Sequence, residues 1–357
     1  MDLTGVDMNE LLHAQRTAQL RRMPQGAKVF LSAGCAGRWY FDWIEEAYGD
    51  LDHHIGIEYY SPEPDDLPGN VSWIANTVGD MADVVDSSID LVFSGQNIEH
   101  LWPEDVVGFL VEANRVLVTG GALVVDSPNR LITKALNWAH PEHTIEFTPA
   151  EAAELAELAG FAVDSVAGLW LCEDDGLLPH QVSDELELVA RTVGGLDSPE
   201  ESFVWWLEAR KVGAPDRAAL EERVNQIFAK AWPERLGRLV PLSGDLSADG
   251  SEIVSRPGTE SAVFFGPYVP LRAGRYSIEF EVTQLDAASG SAGWCDVMSE
   301  EVGELAIEHL PYLMVGETTK ISLDVELDEL VFGLQFRLIS NGSSRLQSPM
   351  HVGVIQH

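Results

Sequence analysis

The chain contains very little cysteine for its length. Cys35, Cys172 and Cys295 are the three cysteines of a 357-residue sequence. They form neither a clustered metal motif nor the paired framework of a small secreted domain. This usage excludes a disulfide-stabilised scaffold and indicates a protein of the reducing cytoplasm.

Basic residues are also scarce. Lys and Arg together number 22 against 58 Asp and Glu, which gives a formal net charge of −36. A field of that sign repels phosphate backbones and anionic membrane surfaces. We therefore expect no nucleic-acid or membrane partner and favour a small-molecule or oligosaccharide substrate. Salt adaptation would produce the same acidity.

The sequence has no long apolar run, internal repeat or low-complexity tract. Residues 1–22 have the spacing of an amphipathic helix but lack the apolar stretch of a signal peptide or membrane anchor. We expect this helix to pack as a lid or on a neighbour. The length allows two domains, each with its own core.

The first half contains a series of short apolar runs typical of buried strands. They cover residues 27–33, 53–60, 71–75, 89–93 and 122–125, and 202–211 is a further candidate strand. The first run enters Gly34-Cys35-Ala36-Gly37, a turn whose bare backbone can approach a ligand closely. The second carries Glu58 near its end, where nucleotide-binding α/β folds commonly bind ribose hydroxyls. Thr148 to Glu151 predicts a capping box at the start of a helix.

This order resembles the class I methyltransferases that use S-adenosylmethionine, over roughly residues 27 to 211. The resemblance implies a Rossmann-like fold, with the methionine portion against the first loop, ribose at Glu58 and adenine at Asp80. Ser32 stands where that family usually has an acid, and Ala36 and Arg38 stand where it usually has glycine. The cofactor-binding residues that the resemblance implies are Ser32, Ala33, Gly34, Gly37, Glu58, Tyr59, Asp80, Met81 and Gln96.

A second motif, Gln96-x-x-Glu99-His100 followed by a distant His143, predicts a divalent-metal site. If the first segment forms one helical turn, its three polar side chains face the same way. With His143 they would supply oxygen and nitrogen ligands. The pattern resembles metal-dependent O-methyltransferases of small RNA and of the ubiquinone pathway, with Gln96 in place of a carboxylate. An acid and a histidine capping a solvated helix would look the same.

That resemblance makes Glu99, His100 and His143 the candidate catalytic residues and the ligands of Mg²⁺ or Mn²⁺. If both histidines bind metal, the base must be another group, such as His140 or a metal-bound hydroxide. The candidate substrate-binding residues are Asp126, Asn129, Trp138, His140 and Trp170. An ordinary Asx/Pro turn and buried tryptophans are the alternative explanations for these residues.

The second half changes character. Residues 216–236 have helical spacing, and beyond Gly244 apolar residues alternate with polar ones. The alternation predicts an all-β sandwich of roughly 110 residues. We therefore expect a methyltransferase domain at 1–213, a helical connector at 214–240 and the sandwich at 241–357.

The segment 265–276 of the predicted sandwich is similar to β-sandwich modules attached to bacterial glycan-modifying enzymes. Carbohydrate binding is one function for this domain, and dimerisation or support of the catalytic domain is the other, so a homodimer is a candidate assembly.

These patterns together predict a metal-assisted, S-adenosylmethionine-dependent O-methyltransferase acting on a sugar hydroxyl. The resemblance points towards mannoside or glucoside precursors of methylated actinobacterial polysaccharides. An enzyme methylating a small phenol or an antibiotic sugar would share the first domain. A non-catalytic glycan-binding protein is the third hypothesis.

Overall fold

The computed structural model describes residues 8–172, 184–258 and 260–357. The chain forms two compact units. The first comprises residues 8–136 and 145–229, and the second comprises 137–144 and 230–357. The sequence placed the short segment 137–144 in the first domain, whereas it clusters with the second unit.

The first unit is an α/β fold, as predicted. Its strands are β1 (Val29–Ala33), β2 (His53–Glu58), β3 (Val71–Ala75), β4 (Ile89–Gly95), β5 (Leu117–Pro128), β6 (Phe161–Leu171) and β7 (Ser202–Lys211). Its helices are α1 (Met8–Leu20), α2 (Arg38–Tyr48), α3 (Pro103–Val116), α4 (Arg130–Ala135), α5 (Pro149–Leu158), α6 (Glu185–Leu196) and α7 (Arg217–Leu236), the last of which extends into the second unit.

The seven strands form one mixed sheet in the order β3-β2-β1-β4-β5-β7-β6. Neighbours from β3 to β5 are parallel, while β7 runs antiparallel to both β5 and β6. The order reverses between β1 and β4, and open α/β sheets bind ligands outside the carboxyl ends of the strands at such a point. The loops after β1 and β4 therefore mark the expected binding crevice.

Local sequence explains how these elements begin. The predicted capping box is present, because the Thr148 side chain accepts from the Glu151 amide and the Glu151 side chain accepts from the Thr148 amide. Pro149 follows at the first helical position, where its missing N–H costs nothing. Pro103 begins α3 in the same way. Each start directs a helix back over the sheet.

The amphipathic N-terminal segment forms α1, which packs on α2 and β6 within the first unit. The Trp43 indole on α2 donates a 2.8 Å hydrogen bond to the Thr17 hydroxyl on α1. The helix that we expected to pack as a lid or on a neighbour therefore packs on α2 and β6 of its own unit. None of the helices in the described ranges has both the length and the apolar run needed to cross a bilayer.

The second unit contains antiparallel sheets, which confirms the all-β prediction. Its strands are β8 (Val240–Pro241), β9 (Gly244–Leu246), β10 (Glu252–Ser255), β11 (Ser261–Phe265), β12 (Pro267–Leu271), β13 (Gly274–Gln284), β14 (Gly293–Ser299), β15 (Gly303–His309), β16 (Thr318–Leu327), β17 (Val331–Ser340), β18 (Leu346–Pro349) and β19 (Gly353–Gln356). One sheet has the order β16-β13-β18-β10-β9, with β19 on β13. The other has the order β15-β14-β17-β11-β8, with β12 on β17.

The inner faces of the two sheets enclose an apolar core. Exposed and buried residues alternate along Thr318–Leu327, as expected for a strand with one face towards solvent. Phe264 of one sheet stacks on Phe280 of the other, with ring centroids 6.4 Å apart. Cys295 is also buried in this core, and all three cysteines are free thiols.

Candidate functional site

The loops after β1 and β4 meet at Gly34. A Cβ built on Gly34 would lie 2.6 Å from the Asn97 side-chain oxygen, which is too close for any other residue. Gly34 also has a φ of 80°, in the left-handed region that favours glycine. The predicted glycine turn is thus required both by its backbone conformation and by the neighbouring loop.

The turn remains attached to the sheet and then opens α2. The Gly34 and Cys35 amides donate to the Ile57 carbonyl at 2.9 and 3.3 Å. Gly37, with a φ of 102°, is the N-cap of α2, whose first amides are available to an acceptor. Burial raises the pKa of the Cys35 thiol, so that this cysteine is a neutral packing group rather than a nucleophile.

Ser32 differs in role from the acid that it replaces. Its side chain is fully buried, and its hydroxyl lies 2.8 Å from Nε2 of His54 on β2. Burial lowers the pKa of His54 to about 3, so the ring is neutral. The Ser32 side chain thus lies in the sheet interior, and only the backbone of Ser32 can line the crevice.

Glu58 lies at the end of β2, as predicted. Its Oε1 accepts from the amides of Tyr60 and Ser61 at 2.8 and 3.0 Å, which orients the carboxylate. The hydrogen bonds described for Glu58 use this oxygen, and Oε2 remains for a hydroxyl of a ligand. Tyr59, next to it, is 66% exposed.

Asp80 and Met81 follow β3. Asp80 is exposed and accepts from the Ala82 amide through Oδ1. Met81 is fully buried, and its amide donates to Glu112 of α3. The pair therefore presents an accessible carboxylate beside an apolar wall, as a base-binding position requires.

The helical turn expected at Gln96 to His100 is wrong in part. Gln96 has a φ of 55°, so it lies outside the short 3-10 turn Ile98–His100. Its backbone amide donates to Asp126 Oδ1 at 2.8 Å, and its side-chain amide lies 3.4 Å from the same oxygen. Gln96 is therefore hydrogen-bonded to Asp126 of β5 and is not part of the turn that carries Glu99 and His100.

Glu99 is a fully buried carboxyl group. Burial raises its pKa to about 8 and repulsion from Asp126 adds to the shift, while hydrogen bonding, including that from Ser127, opposes it. A carboxyl group in such surroundings is ionised more readily when a cation lies beside it.

Candidate ligand atoms of Glu99, His100 and His143 all lie within 4.8 Å of one another. Glu99 and His143 are buried, and His100 is half-buried. One carboxylate and two imidazoles form a donor set that first-row dications accept, and a carboxylate also suits Mg²⁺. Gln96 is not needed for this group.

Two of the substrate candidates belong to the segment that carries His143. The His140 ring centroid lies 4.4 Å from that of His143, and the Trp138 ring lies 5.6 Å from it. Trp138 and His140 are both half-buried. Two of the residues that we proposed to stack on a sugar, Trp138 and His140, thus lie beside His143.

The other three substrate candidates have structural roles that the sequence did not reveal. Asn129 is fully buried, caps α4 by accepting from the Leu131 amide, and donates to the carbonyls of Pro199, Glu200 and Ser202. Trp170 is also fully buried, so its ring presents no face to a sugar. The prediction of a stacking platform at Trp170 is wrong.

Asp126 is buried in an ion pair with Arg16 of α1, whose Nε lies 2.5 Å from Asp126 Oδ2. The Arg16 guanidinium also lies over the Trp43 ring, 4.9 Å from its centroid. Arg16 was not among the predicted site residues, because 110 positions separate it from Asp126. Its one signal was a basic residue on an amphipathic helix.

Known proteins share the first part of the chain. A family model described as a methyltransferase domain matches residues 31–125. A Mycolicibacterium smegmatis protein named as a probable S-adenosylmethionine-dependent methyltransferase is 33% identical over 147 residues. That match covers 39% of this chain and 54% of the relative, so the chain spans about half the length of this curated relative.

Further similar proteins have related names. Mycobacterium tuberculosis proteins named in the same way are 38% identical over 87 residues, which cover 24% of this chain and 31% of theirs. A solved structure of a SAM-dependent methyltransferase from Archaeoglobus fulgidus has 21% identity and a TM-score of 0.40, over 56% of this chain and 94% of that one. With the sheet order described above, the first unit has a Rossmann-like methyltransferase fold, and its residues 31–125 are similar to a methyltransferase domain.

Proposed function

We propose that the protein is an S-adenosylmethionine-dependent O-methyltransferase that acts on a hydroxyl of a sugar or oligosaccharide, assisted by Mg²⁺ or Mn²⁺. The observation that carries the proposal is the crevice at the reversal of strand order, bordered by the Gly34 turn and by the segment with Glu99 and His100. One side of it suits a nucleoside cofactor, and the other carries candidate metal ligands.

The residues fit the cofactor. Gly34 leaves backbone exposed where a side chain could not stand, and Glu58 has a carboxylate oxygen available to ribose hydroxyls. Asp80 and Met81 supply a polar edge and an apolar wall for adenine. When bound, S-adenosylmethionine supplies an electrophilic methyl group on a sulfonium, which transfers directly to an acceptor oxygen.

Glu99, His100 and His143 would hold the dication. Such an ion favours the ionised form of an acceptor hydroxyl, which is otherwise a poor nucleophile near neutral pH. His140 stands beside His143 and is the imidazole we assign to accept the hydroxyl proton, since the other two are ligands. Trp138 adds a flat surface next to it.

A saccharide acceptor is supported by a hollow of 380 Å³ in the second unit. Tyr268, Glu300 and Glu301 are among the residues that line it. An aromatic face meets the C–H side of a sugar ring, and carboxylates accept from its hydroxyls. The net charge of −36 favours a neutral acceptor over a polyanion.

Methyl transfer from labelled S-adenosylmethionine to a panel of neutral oligosaccharides and small phenols tests the proposal. We expect label in a mannoside or glucoside acceptor, loss of turnover in EDTA, and recovery with Mg²⁺ or Mn²⁺. Cofactor binding should survive chelation, because Gly34 and Glu58 are not metal ligands. Full activity after exhaustive dialysis against EDTA would exclude a metal from the proposed mechanism. Label that appears only in phenols would exclude a sugar as the acceptor.

The ligand assignment has its own test. Glu99→Gln and His143→Gln should each raise the metal concentration needed for half-maximal turnover, whereas Glu142→Gln, next to His143, should leave it unchanged. An equal metal requirement in all three variants would contradict the assignment.

A further inference from the structure

Arg16 of α1 and Tyr40 of α2 lie close together where the two helices pack, and Gln15 precedes Arg16 on α1. Gln15, Arg16 and Tyr40 are 7%, 9% and 3% exposed. Burial raises the pKa of the Tyr40 hydroxyl and the Arg16 charge opposes that rise, so the phenol remains a hydrogen-bond donor. None of the three belongs to the cofactor or metal residues assigned above.

Several of their atoms have no hydrogen-bond partner within the described ranges of the chain. These atoms are Nη2 of Arg16, the Tyr40 hydroxyl and both side-chain amide atoms of Gln15. A buried donor without an acceptor costs free energy, and a charged one costs more. A cluster of such atoms is typical of a pocket that is completed by a polar ligand.

The cluster adjoins the crevice. Arg16 Nη2 occupies the space that a side chain at Gly95, the last residue of β4, would fill. The ion pair with Asp126 and the contact with Trp43 hold the guanidinium, which leaves Nη2 as the group offered to a ligand. Tyr40 lies in the first turn of α2, directly after the turn that ends at Gly37.

We propose that Arg16, Tyr40 and Gln15 bind the amino-acid end of S-adenosylmethionine, an inference that rests on the proposed function. Arg16 Nη2 and the Tyr40 hydroxyl donate to the carboxylate, and Gln15 Oε1 accepts from the ammonium group. The buried donors match a carboxylate, because hydrogen bonds to an ionised acceptor are about twice as strong as neutral ones. The helix α1 is then part of the cofactor site.

A pair of ligands tests this assignment without turnover. S-adenosylhomocysteine carries the amino-acid end, and 5′-methylthioadenosine keeps the adenosine and the thioether but lacks that end. We expect Tyr40→Phe and Arg16→Lys each to weaken S-adenosylhomocysteine binding about tenfold or more by calorimetry. Affinity for 5′-methylthioadenosine should stay within about twofold.

Matched controls are available on α2. Arg38→Lys changes an exposed arginine paired with Asp42, and Tyr48→Phe changes a tyrosine bonded to the Pro24 carbonyl. Neither control variant should alter the ratio of the affinities for S-adenosylhomocysteine and 5′-methylthioadenosine. Tyr40→Phe keeps the ring and removes one hydroxyl that lies beside Arg16, so it keeps the test valid if Arg16→Lys fails to fold.

The outcomes separate two failures. Binding of S-adenosylhomocysteine with an unchanged affinity ratio in both variants would overturn the inference and leave the proposed function standing. Equal losses for both ligands would also overturn it, because they would indicate a general structural role. A wild-type protein that binds neither ligand would overturn the proposed function and this inference together.

Discussion

The two units bury different kinds of side chain. In the first unit, titratable groups lie inside the fold, with Glu99 and Asp126 near the carboxyl ends of strands and His54 within β2. In the second, the core between the sheets is a set of apolar side chains, and the buried Arg235 and Asp296 lie outside that core with hydrogen-bonded partners. Other ion pairs of this unit, such as Arg256–Asp245 and Arg345–Asp286, are exposed. Perturbed titratable groups cluster at functional sites, so the buried Glu99, with its raised pKa, favours the first unit as the place of the proposed chemistry.

The largest effect should come from breaking the buried pair of the first unit. Asp126→Ala leaves the Arg16 charge without its partner, and we expect a loss of about 3–5 kcal/mol of unfolding free energy. Asp286→Ala removes the acid of an exposed pair in the second unit and should change stability little, because solvent screens that pair. Denaturant unfolding of both variants measures the two changes in unfolding free energy. Equal losses of unfolding free energy would refute the contrast between the buried and the exposed ion pair.

The next effect tests whether the two cores act independently. Phe280→Ala removes a buried ring that stacks on Phe264 and should cost the second unit about 3–5 kcal/mol. Calorimetric binding of S-adenosylhomocysteine to the first unit should not change. Val302→Ala, at a 46% exposed position, is the control. A parallel loss of ligand binding would mean that the units unfold as one.

A smaller effect concerns binding at the first unit. Glu58→Ala removes a charge-assisted acceptor for ribose hydroxyls and should weaken S-adenosylmethionine binding by about 1.5–3 kcal/mol. Glu63→Ala, a nearby exposed carboxylate, should have no effect on the same calorimetric titration. Unchanged affinity in Glu58→Ala would exclude the ribose assignment without affecting the fold.

The smallest expected effect is a dependence of the unfolding free energy on pH. The pKa of His54 is about 3 in the folded protein, below its ordinary value of 6.5, because the ring is buried. The folded state thus binds fewer protons, and stability is lost as the pH falls below about 6.5, by at most about 1.4 kcal/mol per pH unit.

Urea unfolding between pH 7 and pH 5 measures that slope. His54→Gln should flatten it relative to the wild type, whereas His309→Gln, at an exposed position of the second unit, should leave it unchanged. Identical slopes in all three proteins would contradict the buried neutral state of His54.

Local sequence patterns predicted six of the seven strands of the first unit, all but β6, and the strand alternation of the second unit. The run at 89–93 is part of β4, 202–211 coincides with β7, and the alternation around Phe280 is an inner face of the sandwich. These features depend on neighbours in the chain, which a single sequence records directly.

The errors depend on distant partners. Gln96 adopts a positive φ beside Asp126, 30 positions away, so its spacing from Glu99 did not predict its direction. Trp170 is enclosed by the fold, and the sequence could not distinguish such a tryptophan from a binding platform. The grouping of Glu99 and His100 with His143, 43 positions after His100, was predictable from the resemblance to metal-dependent O-methyltransferases and not from local spacing.

The position of β7 also has a consequence during protein synthesis. This strand is inserted between β5 and β6, although both precede it in the chain. Until residues 202–211 leave the ribosome, β5 is an edge strand and β6 has no partner in the sheet. Unpaired edges promote association between chains, so the nascent protein should depend most on chaperones during the interval in which about 30 residues between β6 and β7 are made.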